Sequence, residues 1–216
     1  MPETHQLLLF IGAGILLNLT PGPDVLYIVT NSLRSGAKAG VVAALGINAG
    51  CFVHVFAAAL GVSALLAASA TAFTVLKWIG AAYLVWIGAK LLVARSPRDT
   101  ADLAAIARSQ PVLPLPKVFL GGFLTNALNP KVAIFFLAFV PQFITPEAEH
   151  KALAFIALGT LFNVNSVFVN AGWAVAAAWL AARSSVQAGM HWLDRVAGAM
   201  FAGFGVKLAF TENPAS

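Results

Sequence analysis

The segment Ala39–Leu76, AGVVAALGINAGCFVHVFAAALGVSALLAASATAFTVL, runs 38 residues without an Asp, Glu, Lys or Arg. A bilayer core about 30 Å thick is crossed by roughly 20 apolar helical residues rising about 1.5 Å each. One crossing cannot hold this segment. The small polar patch Ala68-Ser69-Ala70-Thr71 is where the chain turns, placing spans at about 39–66 and 72–94. A second charge-free run of 31 residues, Ala152–Ala182, predicts a span at about 152–181. The remaining apolar stretches predict spans at about 7–29, 118–144 and 192–210, six in all.

Composition agrees. Hydrophobic residues make up 60% of the 216 and charged residues 10%, where a soluble domain carries roughly 25% charged. Mean hydropathy is +0.85. There is too little polar surface to cover a soluble core of that size. The fold class read here is therefore all-α integral membrane, one membrane domain covering residues 1–216. Its first half is about 1–94, its loop about 95–117 and its second half about 118–216. The loop holds Arg95, Arg98, Asp99, Asp102, Arg108 and Lys117 with four prolines, so it is solvated.

The net charge of +5 does not signal nucleic acid, because the basic residues sit in short loops instead of one folded surface. Counted by side, Arg34, Lys38, Lys90, Arg95, Arg98, Arg108, Lys117 and Arg183 oppose only Lys77, Lys151 and Lys207. The positive-inside rule then puts the richer side in the cytoplasm and both termini outside a bacterial-type inner membrane. The N-terminus lacks a basic n-region and a small-residue cleavage site, so the first span is expected to be retained. Cys51 is the only cysteine, which excludes an intrachain disulfide.

The two halves resemble each other. Ile79-Gly-Ala-Ala-Tyr-Leu-Val-Trp-Ile-Gly-Ala-Lys-Leu91 aligns with Val196-Ala-Gly-Ala-Met-Phe-Ala-Gly-Phe-Gly-Val-Lys-Leu208, and Ala-Leu-Gly recurs at 44–46 and 157–159. Three spans per half turn the second half upside down, the inverted repeat of many secondary transporters. The first and fourth spans are each broken at a proline. Asn18-Leu-Thr-Pro21-Gly22-Pro23-Asp24 interrupts one, and Asn126-Ala-Leu-Asn129-Pro130-Lys131 the other. A proline removes a backbone donor and clashes one turn back, and freed backbone groups at membrane depth need a partner or a wet cavity. Paired breaks in matching positions point to a transport site. The competing reading is two helix ends packed for structure alone.

Asp24 and Lys131 are the costliest residues at depth, about 3 kcal/mol each on insertion scales. They would hold the ammonium and carboxylate of an amino acid, or form a salt bridge that opens in transport. The bland alternative is snorkelling to headgroups, which Lys131 can do better than the short Asp24. His54 follows Gly46 and Gly50 at four-residue steps and so lies at a helix contact. It could relay protons or simply bond a backbone carbonyl. Asn163, Ser166 and Asn170 form one polar stripe on the fifth span, lining a conduit or bonding neighbouring helices.

The ordered set Asn18-x-x-Pro-Gly-Pro, Gly36-x-x-x-Gly40, Leu45-Gly46, Gly80-Ala-Ala-Tyr-Leu-x-Trp-x-Gly88, Asn129-Pro-Lys131 and Pro141-Gln-Phe143 resembles the LysE/RhtB family of amino-acid exporters across nearly the whole chain. The resemblance implies an inner-membrane exporter of amino acids, driven by the proton gradient and using no bound cofactor. It places family motifs on Pro21, Gly22, Pro23, Asn129, Pro130 and Lys131. Family members often carry an acid in the fifth span, where this chain has Ser166 among asparagines, and that departure throws the coupling role onto Asp24. The expected partners are the lipid bilayer, an amino acid and protons. Gly36-x-x-x-Gly40 and Gly46-x-x-x-Gly50 suit packing within one chain or in a homo-oligomer.

Two other functions are weighed against this one. An ion or metal carrier needs several converging carboxylates, His or Cys, and the spans offer only Asp24, His54 and Cys51. No metal site is therefore assigned. An enzyme needs a nucleophile–base arrangement, and neither H-E-x-x-H nor G-x-S-x-G occurs.

Overall fold

The computed structural model describes residues 4–68, 111–144 and 150–180, with position 148 and scattered positions between 75 and 89 and between 199 and 206. The described elements are all helical. Helix α1 is Thr4–Leu19, α2 is Pro23–Ala68, α3 is Leu115–Ala127, α4 is Pro130–Ile134 and α5 is Lys151–Leu180. A π turn, Phe135–Phe139, and a 3-10 turn, Val140–Phe143, continue α4.

Among the described residues, two stretches are long and apolar enough to cross a membrane, Pro23–Gly61 and Lys151–Trp179. The pair Leu115–Ala127 and Pro130–Phe143, bent by 46° at the break between them, makes a third if taken as one crossing. Leu60 and Phe168 are each 73% exposed, as side chains facing lipid would be. Of the spans expected at 72–94 and 192–210 only those scattered positions are described, and the turn at Ser69–Thr71 and most of the 95–117 loop lie outside the described residues.

The reversal expected between the first and second spans is found, shortened to one residue, and one other boundary moves. Pro23–Ala68 is two helices folded back on each other: a Cβ at Gly40 would overlap the Ser32 hydroxyl, and Asp24 and His54, thirty positions apart, both bond Asn126. Its one irregular position is Gly36, with φ 80° and ψ 176°, a region essentially reserved for glycine. Nothing else in Thr30-Asn-Ser-Leu-Arg-Ser35 breaks a helix, so the chain reverses at this one residue and a second helix follows. The fourth span starts at Leu115 instead of 118, because Pro116 falls in the first turn, where its missing donor costs nothing.

Packing follows the sequence periodicities. Phe10, Ala13, Gly14 and Leu17 form the buried stripe of α1, spaced as one helix face requires. Gly14 lies against Phe162 of α5, where an added Cβ would come within 3.0 Å of the ring. Helices α2 and α3 touch backbone to backbone. A Cβ at Gly46 would overlap the Phe119 carbonyl oxygen, one at Gly50 that of Phe123, and one at Gly122 would sit 2.5 Å from that of Ala43. Lipid tails are as apolar as Leu, so close approach of this kind, not apolar burial, holds membrane helices together. The Gly46–Gly50 pair thus serves packing inside the chain. An aromatic cluster closes one end: Phe135 lies 4.9 Å from both Phe139 and Phe162, and Phe10 lies 5.3 Å from Phe143.

Candidate functional site: the junction of two proline breaks

In an α-helix each N–H bonds the carbonyl four residues back. Pro21 has none to offer Leu17, and Pro130 has none to offer Asn126. Both freed carbonyls are met by a basic side chain from a distant part of the chain. Lys131 Nζ donates to Leu17 O and to Thr20 O, each at 3.2 Å. His54 Nε2 donates to Asn126 O at 2.8 Å, an oxygen that also accepts from Asn129 N. A carbonyl can only accept, so the Nε2 position carries the proton. Of the two readings of His54, the carbonyl bond is the one found.

The breaks also have their own local closures. Thr20 bonds Leu16 O twice, through its backbone N at 3.0 Å and its Oγ1 at 2.7 Å. The next helix begins at Pro23 with Asp24 in its first turn, where a negative charge is favoured by the helix dipole. At the second break the Asn129 side chain caps α4, its Oδ1 accepting from Lys131 N at 3.0 Å.

Asp24 joins the two breaks. Its carboxylate is 8% exposed, and Oδ2 accepts from Asn126 Nδ2 and from Asn129 Nδ2, each at 2.9 Å. Oδ1 is buried with no hydrogen-bond partner among the described residues. The Lys131 ammonium belongs to the same junction, through its bonds to Leu17 O and Thr20 O. It packs on Gly22, where a Cβ would come within 3.1 Å of Nζ. Residues 18–24 and 126–131, about a hundred positions apart in sequence, therefore form one buried polar junction.

The profile of the family described as LysE type translocator matches residues 15–212. The chain belongs to that family. It is 33% identical over 207 residues to an uncharacterized membrane protein of Vibrio cholerae, covering 96% of this chain and 98% of that one. It is 31% identical over 198 residues to the homoserine/homoserine lactone efflux protein of Salmonella typhimurium, covering 92% and 93%. It is also 31% identical over 157 residues to the leucine efflux protein of the same organism, covering 73% and 72%. No solved structure matches the chain.

In this LysE type translocator the stripe on α5 faces inward, with Asn163, Ser166 and Asn170 each 5% exposed or less. It engages two different partners. Ser166 Oγ accepts from Asn18 Nδ2 at 2.7 Å, which ties α5 to the residue just before the first break. Asn163 Nδ2 donates to Asn48 O at 2.9 Å, and Asn170 Nδ2 donates to Asn48 Oδ1 at 3.0 Å. Asn48 is, with Asn31 and Ser32, a buried polar residue that sequence reasoning passed over. Its only flag was an amide amid the small apolar residues of Leu45-Gly-Ile-Asn-Ala-Gly50. Asn48 Nδ2 and Asn163 Oδ1 remain unpaired among the described residues, so this amide cluster has a donor and an acceptor to spare. Cys51 is buried nearby in sequence, but no three His, Cys, Asp or Glu converge among the described residues.

Proposed function

We propose that this translocator is a secondary exporter, moving an amino acid out of the cell across the inner membrane at the expense of the proton gradient. The observation that carries the proposal is Asp24: a buried carboxylate at the meeting of two helix breaks, with one oxygen held and the other unpaired. An intramembrane acid is a functional residue by default because its charge is costly there. A carboxylate that can take up a proton or accept an ammonium at Oδ1 has the chemistry for coupling. Two relatives named for efflux of leucine and of homoserine or its lactone support an amino acid as cargo.

In the mechanism proposed, the six spans form two inverted halves that meet at residues 18–24 and 126–131, with both termini outside. Alternating access rocks one half against the other. Asp24 carries the coupling proton. Asn126 and Asn129 orient its carboxylate, and Lys131 and His54 hold the carbonyls that Pro21 and Pro130 free. Asn18, Ser166, Asn163 and Asn170 line the polar route beyond it.

The test starts in cells. Overproduction of the protein should confer resistance to toxic analogues of the exported amino acid. Purified protein in liposomes should then move that labelled amino acid against its gradient when a pH difference is imposed. Transport that ignores the pH difference would remove proton coupling, and failure to move any amino acid would remove the exporter reading.

A further inference from the structure

Beside the junction, on the side bearing Arg34 and Pro111, lies a cavity of about 420 Å³ that the mechanism above does not use. Its size is that of a site for a small organic molecule. Its polar wall consists of Tyr27, Thr30, Asn31, Arg34 and Thr125, and Leu26 and Leu113 contribute apolar surface. Arg34 is the one charged residue lining it among the described residues. We infer that this cavity is a loading site, which takes the solute by its carboxylate at Arg34 before the solute reaches Asp24.

The inference rests on the exporter reading and adds to it a place and a chemistry of entry. Arg34 is half-buried in α2 and donates from Nη1 to Pro111 O at 3.3 Å, which anchors the guanidinium at the mouth between α2 and the start of α3. A planar guanidinium fork matches a carboxylate in two parallel hydrogen bonds. Tyr27 is fixed by its hydroxyl, which donates to Val118 O at 3.0 Å, and Asn31 by its amide, which donates to Tyr27 O at 2.8 Å. The wall is thus built before any solute arrives. A single cation opposite leucine surface fits a carboxylate carrying a short aliphatic chain better than it fits a phosphate.

The cavity also adjoins the junction along the chain. Pro23 lines it and precedes Asp24; Thr125 lines it and precedes Asn126, which donates to Asp24. Arg34 belongs to the side that the Lys and Arg excess puts in the cytoplasm, the side from which an exporter must load.

The test is uptake into inside-out membrane vesicles, which reads the cytoplasm-to-outside direction, with L-leucine and L-homoserine as labelled probes. Arg34→Gln should raise KM about tenfold or more, the expected loss of a charge-assisted hydrogen bond, and Arg34→Lys should recover part of it. Thr30→Phe narrows the cavity while leaving Arg34 in the chain and should raise KM similarly. Competition separates binding from a structural role. The unsubstituted protein should prefer L-leucine to leucinol, which lacks the carboxylate, and Arg34→Gln should abolish that preference. Normal KM in both variants, or a preference that survives Arg34→Gln, overturns the loading site and leaves the exporter standing. If the unsubstituted protein moves neither amino acid, the exporter reading falls and the loading site falls with it.

Discussion

Replacing Asp24 separates what its shape does from what its charge does. Oδ2 accepts from Asn126 and Asn129, both at 2.9 Å. In Asp24→Asn the single amide oxygen can accept both bonds while the new NH₂ group takes the place of Oδ1, so the fold loses little. In Asp24→Leu two buried amide donors lose their acceptor at about 1–3 kcal/mol each, or about 2–6 kcal/mol together. Melting of the detergent-purified proteins, followed by size-exclusion chromatography after heating, should therefore rank Asp24→Asn close to the unsubstituted protein and Asp24→Leu well below it. Transport should rank differently. Asp24→Asn cannot exchange a proton, so pH-driven accumulation in liposomes should vanish, and whatever exchange persists without a gradient should lose its dependence on pH. Two results would refute this reasoning. One is gradient-driven accumulation by Asp24→Asn at the normal rate. The other is an Asp24→Leu protein as heat-stable as the original, which would mean that Asn126 and Asn129 do not depend on the carboxylate.

Four further outcomes are expected. Gly46→Val should abolish recovery of monodisperse protein, since its side chain would have to displace the Phe119 carbonyl, while Gly12→Ala should be harmless because nothing lies within 4 Å of the added Cβ. Gly36→Ala should lower stability by about 1–3 kcal/mol, the cost of a side chain at that φ, seen as an earlier thermal transition. Lys131→Met should leave Leu17 O and Thr20 O without their donor and cost transport more than Lys131→Arg in the liposome assay. Reporter fusions should show a cytoplasmic reporter active after residue 110 and an external one active after residue 149, and the reverse pattern would invert the assigned orientation.

The site was legible in sequence to the extent that covalent chemistry forces it. Pro21, Pro23 and Pro130 lack a donor wherever they are, so two interrupted helices could be read without coordinates. A carboxylate between them was conspicuous for its insertion cost. The spacing of Asn163, Ser166 and Asn170 fixed a common face, and that face is buried. Partner choice was not legible. Nothing local says that the carbonyl freed by Pro21 meets Lys131 or that the one freed by Pro130 meets His54. Asn48 was missed because its partners lie 115 and 122 positions along the chain and it has no polar companion one turn away in its own helix. The cavity at Arg34 joins residues near 23–34 to residues near 113–125, a juxtaposition that only tertiary structure makes.

Arg34 and Lys38 marked the boundary of the first two spans, and the chain does reverse between them, at Gly36. The length of the turn was not legible, because a helix emerging into headgroups can carry charges up to its last residue. The same logic explains Leu115. Proline clusters suggested an unstructured approach, while Pro116 in a first helical turn is no obstacle.

In the exporter proposed above, the ammonium lodged between the Leu17 and Thr20 carbonyls would act as a catch. In the proposed cycle, a stroke that drew the segment at 131 away from the end of α1 would take the donor from both oxygens, and for Leu17 O the residue one turn on, Pro21, has no N–H to replace it. Such a stroke would proceed cheaply only when some other cation arrived to relieve them, and the charged amine of a passing solute is one. An empty carrier would then be reluctant to cycle and a loaded one willing, which is the condition for exporting cargo without leaking protons.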